Sequence, residues 1–374
     1  NYFTSAIFII VGIFIASNLY TMLPISQLLV EEFSISIEQS PLASFSFIFC
    51  YAIGLLVFGI LTDRFGERPI LLYGMFSLAI LTFFIVFLEN YYFFVVARAF
   101  QGFLAASFAP PAFSYIFQHF KGKTQTLSIA LINTGFLFAG IFGQIFSFYL
   151  VYTFTFSALF FAFSFLYFAS FVLLFLSLKK TRVPDKKLRK GVTSILTLIR
   201  HTPLYKLYMT TFFLLLTIML FYGGFEMYLL QNSMHLPFSI QTFRIIGLIG
   251  IMPAFFANRL VERFNPKAIL SGSLLLMSFG YAFSVFYLSE WMLLVSSIFM
   301  IASTSLTIPM VILLVGTYAP LNMRGRGISI YSFILLIGGS VGSLLAAFIP
   351  LYYILISIAM IFLCLSFLIR SIKT

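Results

Sequence analysis

Long apolar runs dominate this chain. About twelve stretches approach or exceed the ~20 residues that an apolar helix needs to cross a bilayer. With boundaries good to a few residues, they cover 4–30, 41–62, 69–88, 91–117, 126–150 and 155–178, then 206–230, 239–258, 267–288, 291–317, 327–349 and 351–370. The runs are apolar all round. A membrane β-barrel needs short strands that alternate polar and apolar residues, so the pattern predicts an all-α membrane protein. Only 9% of residues are charged, against roughly 25% in soluble domains. That leaves no room for a sizeable soluble domain.

The formal net charge is +12, which in a soluble protein would suggest nucleic acid as a partner. The distribution excludes it. Loops after even-numbered runs carry Arg64, Arg68, Lys121, Lys123, Arg259, Arg263, Lys267, Arg324 and Arg326. The segment 179–205 adds a further basic cluster, from Lys179 to Arg200. Loops after odd-numbered runs carry Glu31, Glu32, Glu38, Glu89 and Glu290 with no Lys or Arg. This positive-inside bias predicts that both termini and the basic segment lie in the cytoplasm, the segment against anionic lipid. Cys50 and Cys364 stand alone, and His119, His201 and His235 are scattered. No metal-ligating, nucleophile-elbow or phosphate-loop pattern is present. The sequence therefore gives no reason to expect a cofactor, a metal or catalysis.

A charged string occurs twice. Asp63-Arg64-Phe65-Gly66-Glu67-Arg68-Pro69-Ile70-Leu71 and Glu262-Arg263-Phe264-Asn265-Pro266-Lys267-Ala268-Ile269-Leu270 align without a gap. Pro110 and Pro309 are separated by the same offset, Lys121-Gly122-Lys123 matches Arg324-Gly325-Arg326, and Gly135 matches Gly338. Duplicated spans around duplicated charged turns point to a two-fold repeated transporter. The expected organisation is a six-helix bundle over 1–178, a basic linker over 179–205 and a second six-helix bundle over 206–374.

The first string and its approach, Gly59-Ile60-Leu61-Thr62-Asp63-Arg64-Phe65-Gly66-Glu67-Arg68, resemble the signature G-x-L-x-D-R-x-G-[RK]-[RK] of the major facilitator superfamily. The departure is Glu67, where that family carries a base. Arg98-Ala99-Phe100-Gln101-Gly102-Phe103-Leu104-Ala105-Ala106 resembles its fourth-span motif R-x-x-Q-G-x-x-A-A. The resemblance covers the whole chain and implies two pseudo-symmetric six-helix bundles that rock about a central cavity. It is closest to the bacterial drug:proton antiporter branch, which includes exporters of drugs, sugars, amino-acid derivatives and metallophores. The fifth span, Thr134 to Gln144, is glycine-spaced like that branch but lacks its proline.

These expectations assign candidate residues. Gly59, Asp63, Arg64, Gly66 and Arg68, with Glu262 and Arg263, form a conformational latch, the acids docking on positive helix N-termini. Arg98, Glu226 and Arg244 are ionisable groups in the membrane interior, functional candidates by default, and are assigned to proton coupling. Glu226 is the proton site, paired with Arg244, so that its charge state follows its surroundings. The Gly223-Gly224 pair is expected to loosen the seventh span. Asn18, Tyr20, Met22, Gln101, Asn133, Gln144, Tyr222, Tyr228 and Arg244 supply polar and aromatic groups for a small-molecule site. A structural reading stands beside each: single Asn or Tyr residues also bond neighbouring helices, and Arg98 also suits a purely structural role. Export of a polar metabolite or drug-like compound with protons as coupling ion, by a monomer in a bacterial cytoplasmic membrane, is the leading expectation. A nutrient importer or a non-transporting receptor of the same fold is the alternative.

Overall fold

The computed structural model describes residues 2–179, 198–232, 240–255, 260–261, 263–286, 288–319 and 324–372. Every regular element among the described residues is helical. This follows from the solvent: hydrocarbon offers no partner for backbone N–H and C=O groups, so each span must satisfy its own. Ten helical stretches among the described residues are long and apolar enough to cross a membrane. Polar caps start several of them. Asn90 accepts from the Tyr92 and Phe93 amides, Thr155 from Ala158, and Ser289 from Met292, each satisfying a donor that the first helical turn leaves open. Outward faces carry exposed Phe76, Phe84, Phe165 and Phe286, as expected where the neighbour is lipid.

Three spans expected to be continuous are interrupted. The first runs as Tyr2–Ser17, a turn, a short 3-10 stretch Leu23–Ile25 and then Ser26–Phe33. Pro24 has no N–H to give to the Tyr20 carbonyl and its ring crowds it, so the backbone tightens (Tyr20 N donates to Ser17 O, 3.0 Å) and leaves the helix before the proline. The fourth span is Tyr91–Ala105 and Ala109–His119, broken ahead of Pro110-Pro111 for the same reason. The eighth is Ile240–Gly247, then 3-10 turns over Leu248–Ile251, then Met252–Phe255. Other boundaries move by a few residues: the third span starts at Glu67, the fifth at Gly122 and the seventh at Thr202, and the second ends at Phe65.

The chain divides into two compact units, Asn1–Lys187 and Leu188–Thr374. Within the first, the first span packs on the fifth, the second on the fourth and the third on the sixth. Within the second, the seventh packs on the eleventh, the eighth on the tenth and the ninth on the twelfth. The two units thus repeat one pairing scheme. Small residues set the closest approaches, because helices in lipid associate by packing. A Cβ at Gly143 would strike the Ser17 carbonyl, and one at Gly342 the Leu216 carbonyl. The fifth-span and eleventh-span glycine runs are therefore the surfaces on which the first and seventh spans rest.

Gly143→Val is expected to destabilise the protein by about 1–3 kcal/mol, the usual cost of overpacking. Gly272, with open space where a Cβ would stand, should accept Ala without loss. Thermal unfolding in detergent checks both; equal midpoints for wild type and Gly143→Val would refute the packing role.

Candidate functional site

The first half of the fourth span, Tyr91–Ala105, buries Phe94, Arg98, Gln101 and Ala105 on one face, at the helical spacing of three and four. Arg98 is completely inaccessible to solvent. Its Nη1 donates to Asn18 Oδ1 and to Gln101 Oε1, both at 2.5 Å, and its Nη2 to the Asn18 carbonyl at 3.2 Å. The guanidinium carbon lies 4.4 Å from the centre of the Phe47 ring, a favourable cation–π placement. Every one of these partners is neutral. Partial compensation comes from the break in the first span: Asn18 follows the last helical residue, Ser17, and that end carries the negative pole of the helix dipole.

The acceptors are themselves held. Asn18 Nδ2 donates to Tyr167 Oη at 2.9 Å, and Thr21 Oγ1 donates to Asn18 O and Oδ1 at 3.1 and 3.2 Å. Gln101 Nε2 donates to Thr82 Oγ1 at 2.9 Å. The cluster thereby ties together the first, second, third, fourth and sixth spans. Arg98, Gln101 and Asn18 are sequence-predicted and meet here. Phe47, Thr82 and Tyr167 were missed, because a lone Phe, Thr or Tyr in an apolar run carries no distinguishing signal.

Other candidates flank the same break. Gly140 lies against the Tyr20 ring, and Met22 is buried. Gln144 Nε2 donates to the Gly140 carbonyl at 2.7 Å, while its Oε1 is buried without a hydrogen-bond partner. Asn133 lies in the helix Gly122–Thr153, with its side chain outside the described residues.

At the charged turn, Gly66 has φ 86°, a conformation that glycine adopts without strain, and its N–H donates to the Thr62 carbonyl at 2.9 Å. Gly59 has open space where a Cβ would stand. Asp63 occupies the last turn of Leu42–Phe65, with its side chain outside the described residues. Arg64 is exposed, 5.2 Å from the Phe65 ring, and Arg68 lies 5.6 Å from the Phe175 ring. Glu67 explains its own departure from the family pattern. It is buried and accepts from Ser114 Oγ at 2.7 Å and from Gln118 Nε2. An acid in the first turn of the third span, where the helix dipole favours it, also clamps that turn to Ala109–His119. In the second turn Arg263 is exposed and Glu262 lies outside the described residues.

In the second unit Glu226 is buried, 7% exposed, on the helix Thr202–Asn232. That helix runs unbroken through Gly223-Gly224, contrary to the expected loosening: Gly224 packs against the Ile354 side chain, and a Cβ there would collide with it. One turn from Glu226, the Tyr222 hydroxyl bonds Ser297 Oγ at 2.9 Å. Tyr228 is half-buried. Phe225 stacks on Phe243 at 4.7 Å, a contact between the residues that precede Glu226 and Arg244 in the chain. The Arg244 side chain lies outside the described residues.

Gln101→Leu removes one of two side-chain acceptors from a buried cation, and should cost about 1–3 kcal/mol. Tyr167→Phe should cost about 1 kcal/mol, the net worth of a neutral hydrogen bond. Chemical or thermal unfolding of the purified variants checks the order; an equal or reversed ranking would contradict the network.

Comparison with known proteins fits this architecture. The Major Facilitator Superfamily profile matches residues 6–343 and, overlapping, 254–372. The chain is 24% identical over 274 residues to the uncharacterized MFS-type transporter YybF of Bacillus subtilis, covering 71% of this chain and 67% of that one. It is 26% identical over 277 residues to an uncharacterized transporter of Buchnera aphidicola, covering 73% and 69%. With a family profile matched over nearly its whole length, this multi-pass membrane protein belongs to the Major Facilitator Superfamily of transporters.

Proposed function

We propose that the chain is a secondary active exporter of a small polar molecule, driven by protons and working by alternating access in a bacterial cytoplasmic membrane. Two six-helix bundles, 1–178 and 206–374, joined by a cytoplasmic basic linker over 179–205, make up a monomeric transporter with both termini inside. The branch resemblance favours export, with a metallophore-like metabolite or a drug-like compound as cargo.

The observation that carries this reading is the placing of buried charge. One unit buries Arg98 among neutral groups and the other buries Glu226. Burying ionisable groups in a membrane costs a few kcal/mol even on lenient scales, and a transport pathway is the usual reason for retaining them. In this reading Glu226 takes up and releases the coupling proton, and Arg244, which follows the Phe243 that stacks on Phe225, modulates its charge. Asp63 and Glu262, in the duplicated turns, act as latch acids whose docking changes between states.

Comparing the medium of cells with and without the protein by untargeted mass spectrometry tests export: at least one compound should fall outside deletion cells and rise inside them. Glu226→Gln should abolish the pH dependence of transport, and an unchanged profile sinks the proton role. Asp63→Asn should slow turnover severalfold while leaving thermal stability and substrate binding intact; wild-type rates would remove the latch.

A further inference from the structure

The Arg98 cluster holds more hydrogen-bonding capacity than its own unit uses. Arg98 Nε is buried with no hydrogen-bond partner, and so is Gln144 Oε1 on the other side of the break in the first span. Among the described residues, every hydrogen-bond partner of the guanidinium is a neutral oxygen. Capping the Asn18 carbonyl alone would not need a cation, since any N–H donor would serve with far less desolvation. The buried Nε–H without an acceptor is unfavourable unless something completes it.

We propose that Arg98 is the anion subsite of the transport cycle and that the cargo carries a carboxylate, which takes the place on the guanidinium fork now held by the amide oxygens of Asn18 and Gln101. This rests on the transport reading above and narrows it to a substrate class. Replacing a neutral amide oxygen by a carboxylate puts an opposite charge on each acceptor and adds ion pairing to bonds that are already charge-assisted. The guanidinium fork matches the planar carboxylate in two parallel bonds. One negative charge balances one buried cation; a phosphate, at about −1.5 to −2, leaves an excess.

The exchange has a structural route. Asn18 lies on the non-helical stretch between Ser17 and Leu23, and such backbone is tolerated at membrane depth where it is buried in protein or lines a cavity. A few residues outside regular helix can absorb the rotation that withdraws Asn18. Tyr167 and Thr21, which now hold Asn18 in place, are then free to bond the guest.

The test is direct binding to the purified protein in detergent, which does not depend on transport. The probes are benzoate, acetate and glycine, each against its uncharged or cationic amide (benzamide, acetamide, glycinamide), at millimolar concentration, read as the thermal unfolding midpoint. At least one carboxylate should bind tenfold or more tightly than its amide and raise the midpoint, as a ligand specific to the folded state must. Arg98→Gln should remove that rise. Arg98→Lys, which keeps the charge and guards against simple misfolding, should weaken the carboxylate about tenfold through loss of the fork. No carboxylate-specific rise in wild type, or a rise that persists unchanged in both variants, overturns the subsite. If the medium comparison finds no exported compound while the carboxylate effect holds, the export reading fails and the carboxylate subsite stands.

Discussion

A guanidinium sealed inside a membrane-spanning unit must be compensated from within the protein, because neither water nor lipid can do it. Here compensation comes from the end of a helix. The first span stops at Ser17, ahead of Pro24, and turns the Asn18 carbonyl and amide towards Arg98. The break and the charge depend on each other. Without the cation, the Asn18 carbonyl keeps only the Thr21 hydroxyl as donor; without the break, the cation lacks its acceptors. Tyr167, Thr21 and Thr82 then fix the acceptors, so one charge organises five spans of its unit.

Close helix packing makes this arrangement rigid enough to be specific. Gly143 lets the fifth span approach the Ser17 carbonyl, and Gly102 lets the fourth approach the Phe47 carbonyl. Both contacts sit at the edges of the Arg98 cluster. The second unit repeats the packing, with Gly342 on Leu216, but not the charge: its buried Asp, Glu, Lys or Arg among the described residues is an acid, Glu226. A duplicated scaffold has therefore been filled with different chemistry in its two halves.

Much of this was legible in the sequence. Span number, helical class and internal duplication follow from the length of apolar runs and from the paired charged strings, since bilayer thickness and backbone satisfaction leave few alternatives. Arg98 and Gln101 announced themselves through their motif. The interruptions were harder. Pro24 and Pro110 were visible, but a single proline can kink a span as well as break it, and hydropathy averages across both outcomes. Gly223-Gly224 misled for the converse reason: glycine weakens a helix in isolation, yet here Gly224 makes room for Ile354 on the twelfth span. Tyr167 and Thr82 were hidden because their roles depend on which spans become neighbours. Glu67 showed only as a departure from a pattern, and its inward hydrogen bonds to Ser114 and Gln118 could not be read from its neighbours in the chain.

The central claim is that Asn18 and Arg98 act as one unit. A double-mutant cycle measures it: unfolding free energies of wild type, Asn18→Ala, Arg98→Ala and the double variant, in one detergent. Hydrogen bonds to a charged group predict a coupling energy of about 1.5–3 kcal/mol, with the double variant less damaged than the sum of the two single changes. Additivity within about 0.5 kcal/mol would mean that the two residues stabilise the protein independently, and would contradict the account.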